Sequence, residues 1–158
     1  MRQVTRTCGV AIAAGMMAFG LAPPAAAHDL DSDRFRVTTR TISEHFNDVG
    51  KKGPSVGDSF TGTEKLFHRG ERVGRDAVGC DVTKASKKLF RLHCVVTLSL
   101  RGRGDITAQG GVTFKRGQTV RNTVAITGGT GDYAGASGVI RLIEERGQPS
   151  RLQVRLQG

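Results

Sequence analysis

Apolar and polar residues alternate with a period of two along several short segments of the chain. The clearest alternation lies in residues 89–100, where one face carries Phe90, Leu92, Cys94, Val96, Leu98 and Leu100. The other face carries Arg91, His93, Thr97 and Ser99. Side chains alternate between the two faces of a β-strand, whereas a helical face needs apolar spacings of three and four. The pattern therefore predicts half-buried antiparallel strands.

Eight short segments rich in β-branched and apolar residues follow one another, separated by clusters of Gly, Asp, Asn and Lys. The predicted strands are residues 35–44, 59–68, 72–83, 89–100, 105–114, 119–127, 138–144 and 151–157. Short strands at this spacing without intervening helices are typical of a β-sandwich or a β-barrel. The sequence thus predicts one all-β domain over residues 34–158.

The first 27 residues have a different composition. Arg2 and Arg6 precede an apolar run over residues 8–21, and an A-x-A cleavage signal ends at Ala27. This is the pattern of a secretory signal peptide cleaved after Ala27, and the run is shorter than a membrane span needs. We therefore expect a secreted, extracellular protein without a membrane span. Residues 28–33 (HDLDSD) are expected to form a flexible N-terminal tail.

The charge balance bears on possible partners. The chain has 24 Lys and Arg against 14 Asp and Glu, which gives a net charge of +10, with one Tyr and no Trp. The basic residues are scattered and no aromatic stacking platform accompanies them, so we expect no specific nucleic-acid partner. A basic exterior could attract anionic polymers or cell envelopes, and the alternative is simply a soluble basic surface.

Two cysteines would remain after cleavage, Cys80 and Cys94. A hairpin that turns around residues 84–88 places them opposite each other, at a Cα separation of roughly 4.5–5.5 Å. That separation suits a disulfide, which export would favour. The alternative is two buried free thiols, and a register slip of one residue would put the two sulfurs on opposite faces.

Three stretches resemble the allene oxide cyclase and dirigent barrel superfamily. They are FTGTEKLF at 60–67 followed by RVG at 72–74, GDITAQG at 104–110, and AITGGTGDYAGASG at 125–138. The resemblance covers roughly residues 57–145. It implies an eight-stranded antiparallel β-barrel with an apolar lumen, commonly trimeric. Cyclases of this superfamily convert a fatty-acid epoxide to a cyclopentenone, and dirigent members steer the coupling of phenoxy radicals.

The catalytic positions of the superfamily are altered in this chain. Glu64 occupies the place of a cyclase Asn, while Cys80 matches a cysteine that lines the cyclase lumen. Val112 replaces a tyrosine, the first-strand Glu and Asn fall in a Thr/Arg stretch at residues 38–41, and Ser137 replaces a dirigent Arg. The plant cyclase reaction is therefore not expected, and a different reaction or simple binding stays open.

Glu64 is the candidate catalytic residue. It shares a strand face with Phe60 and Leu66, which is expected to be the lumen side, and a carboxyl in an apolar lumen can act as a general acid or base. The alternative is an outward Glu paired with a nearby base. The residues expected to line the lumen and bind a ligand are Phe60, Leu66, Leu92, Val96 and Val112.

The glycine-rich turn is expected to be structural. Gly128, Gly129, Gly131, Tyr133 and Gly138 lie between two strands, without the Lys and following helix that a phosphate-binding loop has. Tyr133 is expected to pack against the barrel end. The four His lack metal-ligand spacing, so neither a metal nor another cofactor is expected.

Two functions stay open from the sequence. One is a secreted barrel that binds a small hydrophobic compound and directs its cyclisation or stereoselective coupling, as an isomerase or a dirigent protein without a metal. The other is a non-enzymatic secreted protein that binds a ligand or interacts through its surface. A homotrimer is implied by the resemblance alone.

Overall fold

The computed structural model describes residue 30 and residues 32–50, 52–115 and 117–157. It is built from eight strands: β1 (Arg34–Asn47), β2 (Ser59–His68), β3 (Glu71–Ala85), β4 (Leu89–Leu100), β5 (Gly104–Lys115), β6 (Val120–Gly129), β7 (Ser137–Glu144) and β8 (Arg151–Gln157). Each strand pairs antiparallel with its sequence neighbour, and β8 pairs with β1 to close the sheet. This confirms the predicted eight-stranded antiparallel barrel.

One end of the barrel is packed solid. Leu66, Leu98 and Ile106 have no exposed surface there, because inward side chains of β2, β4 and β5 meet at the axis. The short 3-10 turn Gly131–Tyr133 lies over this end, and Tyr133 is buried. We call it the packed end.

Leu30 is 4% exposed and belongs to the same core. Leu30 packs there as the one large apolar residue of the 28–33 stretch, and residues 28, 29 and 31 of the expected flexible tail lie outside the described residues. The backbone of Asp33 also accepts a hydrogen bond from the Leu156 N–H. The predicted signal peptide, residues 1–27, lies outside the described residues. Within the described residues, no helix is long and apolar enough to cross a membrane.

The β3–β4 hairpin has the register predicted from its cysteines. Cys80 faces Cys94 and Val82 faces Leu92 across the hairpin. The two cysteines form a disulfide with a Cα separation of 4.1 Å. The predicted Cys80–Cys94 bond is confirmed.

A β-bulge in β1 changes which residues face the lumen. Thr41 is opposite Glu64 and Ser43 is opposite Thr63, so Ile42 is an extra residue in β1. The alternation of inward and outward positions is displaced by one beyond this point. As a result Glu44, which would point outward in a regular strand, lies opposite the inward Gly62.

The connection between β1 and β2 is organised by a buried carboxylate. Asp58 has no exposed surface, and its side chain accepts hydrogen bonds from the backbone N–H groups of Val49 (2.8 Å) and Ser55 (2.6 Å). The backbone of Asp58 accepts a further bond from the Val82 N–H at 2.8 Å. This connection is thereby fastened to the end of β3.

Candidate functional site

The barrel encloses a cavity of about 510 Å³ at the end opposite the packed end. Its mouth lies between the β5–β6 and β7–β8 turns, where Gln118, Arg146 and Gln148 line it. One side, which we call the apolar wall, comes from β3 to β7 and consists of Val78, Leu92, Val96, Val112, Phe114, Val120, Val124, Ile140 and Leu142. A cavity of this size and lining suits a small organic molecule.

Most residues expected in the lumen do line this cavity. Phe60, Leu92, Val96 and Val112 are all on its surface. Leu66 differs, because it is fully buried in the packed end and does not reach the cavity. The alternation of β2 placed Leu66 on the correct face, but side-chain packing fills the barrel at its level.

Glu64 also lines the cavity, where it lies beside the carboxyl of Asp76, a residue that was not predicted from the sequence. Asp76 faces Glu64 across β2 and β3, and the Glu64 N–H donates a hydrogen bond to Asp76 Oδ1 at 3.0 Å. Two threonines of β1 donate to Glu64 Oε1, Thr39 at 3.1 Å and Thr41 at 3.4 Å. These bonds hold the Glu64 carboxylate against the wall of the cavity.

The environment of Asp76 favours its neutral form. Asp76 is only 3% exposed, and burial together with the charge of Glu64 raises its pKa to about 7. Its protonated and ionised forms are therefore both populated near neutral pH. A group with such a pKa can give or take a proton without a large energetic penalty.

Two further carboxyls lie on the same side of the cavity, Glu44 from β1 and Glu144 from β7. Burial raises the pKa of Glu144, and the charges of Glu64 and Glu44 raise it further. Thr41 Oγ1 lies 3.5 Å from Glu44 Oε1, so its single proton can bond either Glu44 or Glu64. We call Glu44, Glu64, Asp76 and Glu144 the acidic wall.

The sequence contained a signal for part of this wall. Asp76 lies four residues before Cys80 and shares its strand face, and Glu144 continues the inward alternation of Ile140 and Leu142. Glu44 had no such signal, because the bulge at Ile42 displaces it.

The disulfide is part of the cavity lining. Cys80 and Cys94 are both 7% exposed and lie on the cavity surface between β3 and β4. Cys80 therefore lines the lumen, as the superfamily resemblance implied.

The glycine-rich turn lies at the packed end, away from the cavity. Gly138 has a φ of +132°, and a Cβ at Gly129 would collide with the backbone oxygens of Asp105 and Tyr133. The Tyr133 ring lies under the guanidinium of Arg103, with 5.6 Å between the ring centroid and Cζ. These contacts explain Gly129, Gly138 and Tyr133 structurally, and they leave the turn outside the candidate site.

The histidines have other environments. His68 is buried at the packed end, with its Nδ1 2.6 Å from the backbone oxygen of Arg36. His93 is exposed and lies opposite Asp81 on the outer face of the barrel. In the part of the chain that the structure describes, no group of three or more His, Cys, Asp or Glu residues is arranged to hold a metal ion.

Comparisons with known proteins agree with this architecture. The profile of a family described as allene oxide cyclase barrel like domain matches residues 37–156. The solved structure of a pyocyanin demethylase superposes with a TM-score of 0.69 and 26% identity, covering 78% of this chain and 99% of the other. Another structure, described as a nonspecific heme-binding cyclase that catalyses a cycloaddition in neoabyssomicin biosynthesis, gives a TM-score of 0.59. It is 15% identical and covers 84% of this chain and 68% of the other, so it shows a shared fold. The comparison with curated protein sequences finds no match.

Proposed function

The chain belongs to the allene oxide cyclase barrel-like family, and from this premise we propose that it binds a small hydrophobic compound in its lumen and moves a proton on that compound. The Glu64–Asp76 pair is the proposed acid–base group. The apolar wall holds the compound in one orientation, which lowers the entropic cost of reaching the transition state.

The observation that carries this proposal is a buried carboxyl pair on the wall of an otherwise apolar cavity. Two carboxyls that face each other do not ionise together easily, so the pair retains a proton near neutral pH. One member can then donate a proton while the other accepts one. The contacts of Thr39 and Thr41 are both to Oε1 of Glu64, and Oε2 is the oxygen proposed to act on the ligand.

The nature of the reaction follows partly from the relatives. The similar structure at 26% identity is named as a demethylase of pyocyanin, an aromatic heterocycle, which supports an aromatic ligand for this chain. The altered positions Glu64 and Val112 argue against the plant cyclase reaction on a fatty-acid epoxide. We favour a rearrangement or cyclisation in which a proton is transferred at the carboxyl pair, because such a reaction conserves the atoms of the ligand.

A second function, surface interaction without chemistry, is favoured by the outer face of the barrel. Arg34 lies directly opposite Arg155, and Arg36 and Arg141 flank them on the same outer face. Like charges at opposed strand positions are destabilising by themselves, so an anionic surface would find a complementary face here.

The proposal includes a location outside the cell. The Cys80–Cys94 disulfide supports it, because such bonds persist in oxidising compartments. Assembly into a homotrimer is the accompanying proposal, which rests on the family resemblance.

Native mass spectrometry of protein purified from its own culture medium tests ligand binding. We expect a small-molecule adduct that solvent extraction removes and whose mass gives its chemical class.

The extracted compound is then returned to the wild type, to Glu64→Gln and to the matched control Glu71→Gln, whose side chain is exposed outside the cavity. We expect product formation to fall 100-fold or more in Glu64→Gln and to persist in the control, within the usual range of general acid–base effects. Unchanged binding and unchanged products in Glu64→Gln would remove Glu64 from the site.

A further inference from the structure

The charge inside the barrel is opposite to the charge of the protein as a whole. The chain has a net charge of +10, yet four carboxyls form the acidic wall of its cavity. Among the described residues that line the cavity, the basic one is Arg146 at the mouth. The lumen is therefore an acidic compartment within a basic protein.

The protein supplies little positive charge to balance this wall. Glu64 and Glu44 accept hydrogen bonds from threonine hydroxyls, and Glu144 is hydrogen-bonded to Ser150. Hydroxyl groups donate hydrogen bonds but carry no charge. Glu145, which also reaches the mouth, is by contrast paired with Arg151 at 2.7 Å and Arg121 at 3.8 Å.

The acidic wall reduces its charge by holding protons. Burial and the neighbouring carboxylates raise the pKa values of both Asp76 and Glu144, so part of the wall is neutral near pH 7. A positively charged ligand group would stabilise the ionised carboxylates in place of these protons. A buried charge is tolerated when an opposite charge accompanies it.

The opposite side of the cavity determines the rest of the ligand. β4, β5 and β6, whose cavity-lining side chains are apolar or belong to the disulfide, lie across the barrel from β8, β1 and β2, and Glu44 and Glu64 come from β1 and β2. β3 and β7 contribute both an acid, Asp76 or Glu144, and apolar residues. A complementary molecule has an apolar body on one side and a positive group on the other. A fatty acid carries a carboxylate, which this wall would repel.

We propose that the ligand of this lumen is a hydrophobic organic cation or weak base, whose positively charged nitrogen pairs with the acidic wall. This inference rests on the proposed ligand-binding function and specifies the chemical class that the lumen accepts. The apolar body of the ligand lies against Leu92, Val96 and Val112. The acidic wall selects for charge, whereas the apolar wall supplies most of the contact area.

Proton release accompanies binding. Asp76 directly faces Glu64 from β2, and the other charged groups that line the cavity are Glu44 from β1, Glu144 from β7, and Glu145 and Arg146 from the β7–β8 turn. A cation near Asp76 lowers its pKa, so the complex holds fewer protons than the free protein near pH 7. The affinity for a cation therefore rises as the pH is raised through about 7.

Three compounds with the same ring system separate charge from shape. N-methylphenazinium is a cation, phenazine is neutral and phenazine-1-carboxylate is an anion. Isothermal titration at pH 7.5 is expected to show at least tenfold tighter binding of the cation than of phenazine, and weaker binding of the anion. Titration of the cation in buffers of different ionisation enthalpy is expected to show proton release.

Substitutions in the acidic wall test whether the preference for the cation over neutral phenazine arises inside the lumen. Glu144→Gln is expected to reduce the ratio of cation to phenazine affinity several-fold, whereas the exposed control Glu71→Gln keeps the wild-type ratio. If phenazine or the carboxylate binds as well as the cation, ligand binding stands and the charge inference is overturned. If none of the three compounds binds, the proposed ligand-binding function is overturned together with this inference.

Discussion

Glu64 and Asp76 are direct cross-strand partners, and the N–H of Glu64 donates a 3.0 Å hydrogen bond to the carboxyl of Asp76. The backbone of one acid thus holds the side chain of the other at the cavity wall. Burial, together with the charge of the Glu64 carboxylate beside it, raises the pKa of Asp76 to about 7. The proposed site is therefore a product of strand pairing rather than of a catalytic loop.

The first prediction concerns the pH dependence of stability. The pKa of Asp76 is about 7 in the folded protein, against an ordinary value of 3.8, so the folded state holds a proton that the unfolded state releases between these values. Stability is then fully present below about pH 4 and is lost as the pH rises through 7, by an amount on the order of a few kcal/mol. Asp76→Asn is expected to flatten this slope in urea unfolding measured from pH 4.5 to 8. The matched control is Asp81→Asn, an exposed residue of the same strand; an equal slope in both variants would contradict the assignment.

The second prediction concerns Asp58. The backbone N–H groups of Ser55 and Val49 lower the pKa of this carboxyl. Its stabilising contribution is therefore present above the ordinary Asp pKa and is lost as the pH falls through the lowered folded value. Asp58→Asn is expected to speed hydrogen exchange at the Val49 and Ser55 amides at neutral pH, while the Cys80 and Cys94 amides keep their protection. Unchanged exchange at Val49 and Ser55 would show that the carboxylate does not organise this connection.

The third prediction concerns the disulfide. Closing a loop with a sequence separation of 14 is worth about 3 kcal/mol in the chain-entropy model. The double variant Cys80→Ser/Cys94→Ser is expected to lose about this amount of unfolding free energy in denaturant titrations. Wild-type protein treated with a reductant should shift equally, and the double variant should not respond to reductant. An unaltered midpoint in the variant would show that strand pairing alone supplies the constraint.

The fourth prediction compares two glycines. A Cβ at Gly129 would overlap the backbone oxygens of Asp105 and Tyr133, whereas a Cβ at Gly79 would have no atom within 4 Å. Gly129→Ala is expected to destabilise the protein by about 1–3 kcal/mol, as overpacking does. Gly79→Ala is expected to be neutral or slightly stabilising, since it reduces the freedom of the unfolded chain. Equal stability of the two variants would mean that the packed end tolerates movement of the glycine-rich turn.

The strands and the β3–β4 pairing were predictable because the evidence for them is local, whereas closure into a barrel was implied by the family resemblance. Apolar and β-branched segments between clusters of turn residues located the eight strands, and a turn around residues 84–88 predicted the β3–β4 register that pairs Cys80 with Cys94. The spacing of Phe60, Glu64 and Leu66 assigned Glu64 to the lumen face, where the structure places it.

The other features of the candidate site could not be predicted, because they depend on strand pairing and packing that leave no pattern in the nearby sequence. The bulge at Ile42 reverses the facing of Glu44, and alternation alone cannot reveal an inserted residue. Leu66 and Phe60 share a face, yet only Phe60 reaches the cavity, because the depth at which side chains fill a barrel is set by all eight strands together. The pairing of Glu64 with Asp76 likewise required the β2–β3 register, which no cysteine pair marked.

The packed end restricts how a compound can enter and leave the cavity. Leu66, Leu98 and Ile106 block the barrel axis, so a compound that enters between Gln118 and Gln148 has to leave by the same opening. If the proposed reaction takes place in the lumen, a product still bound there would exclude the next substrate and would act as a competitive inhibitor. A ligand longer than the cavity would extend through this opening into solvent. Its exposed end is the position at which a ligand analogue could be attached to a resin for affinity capture.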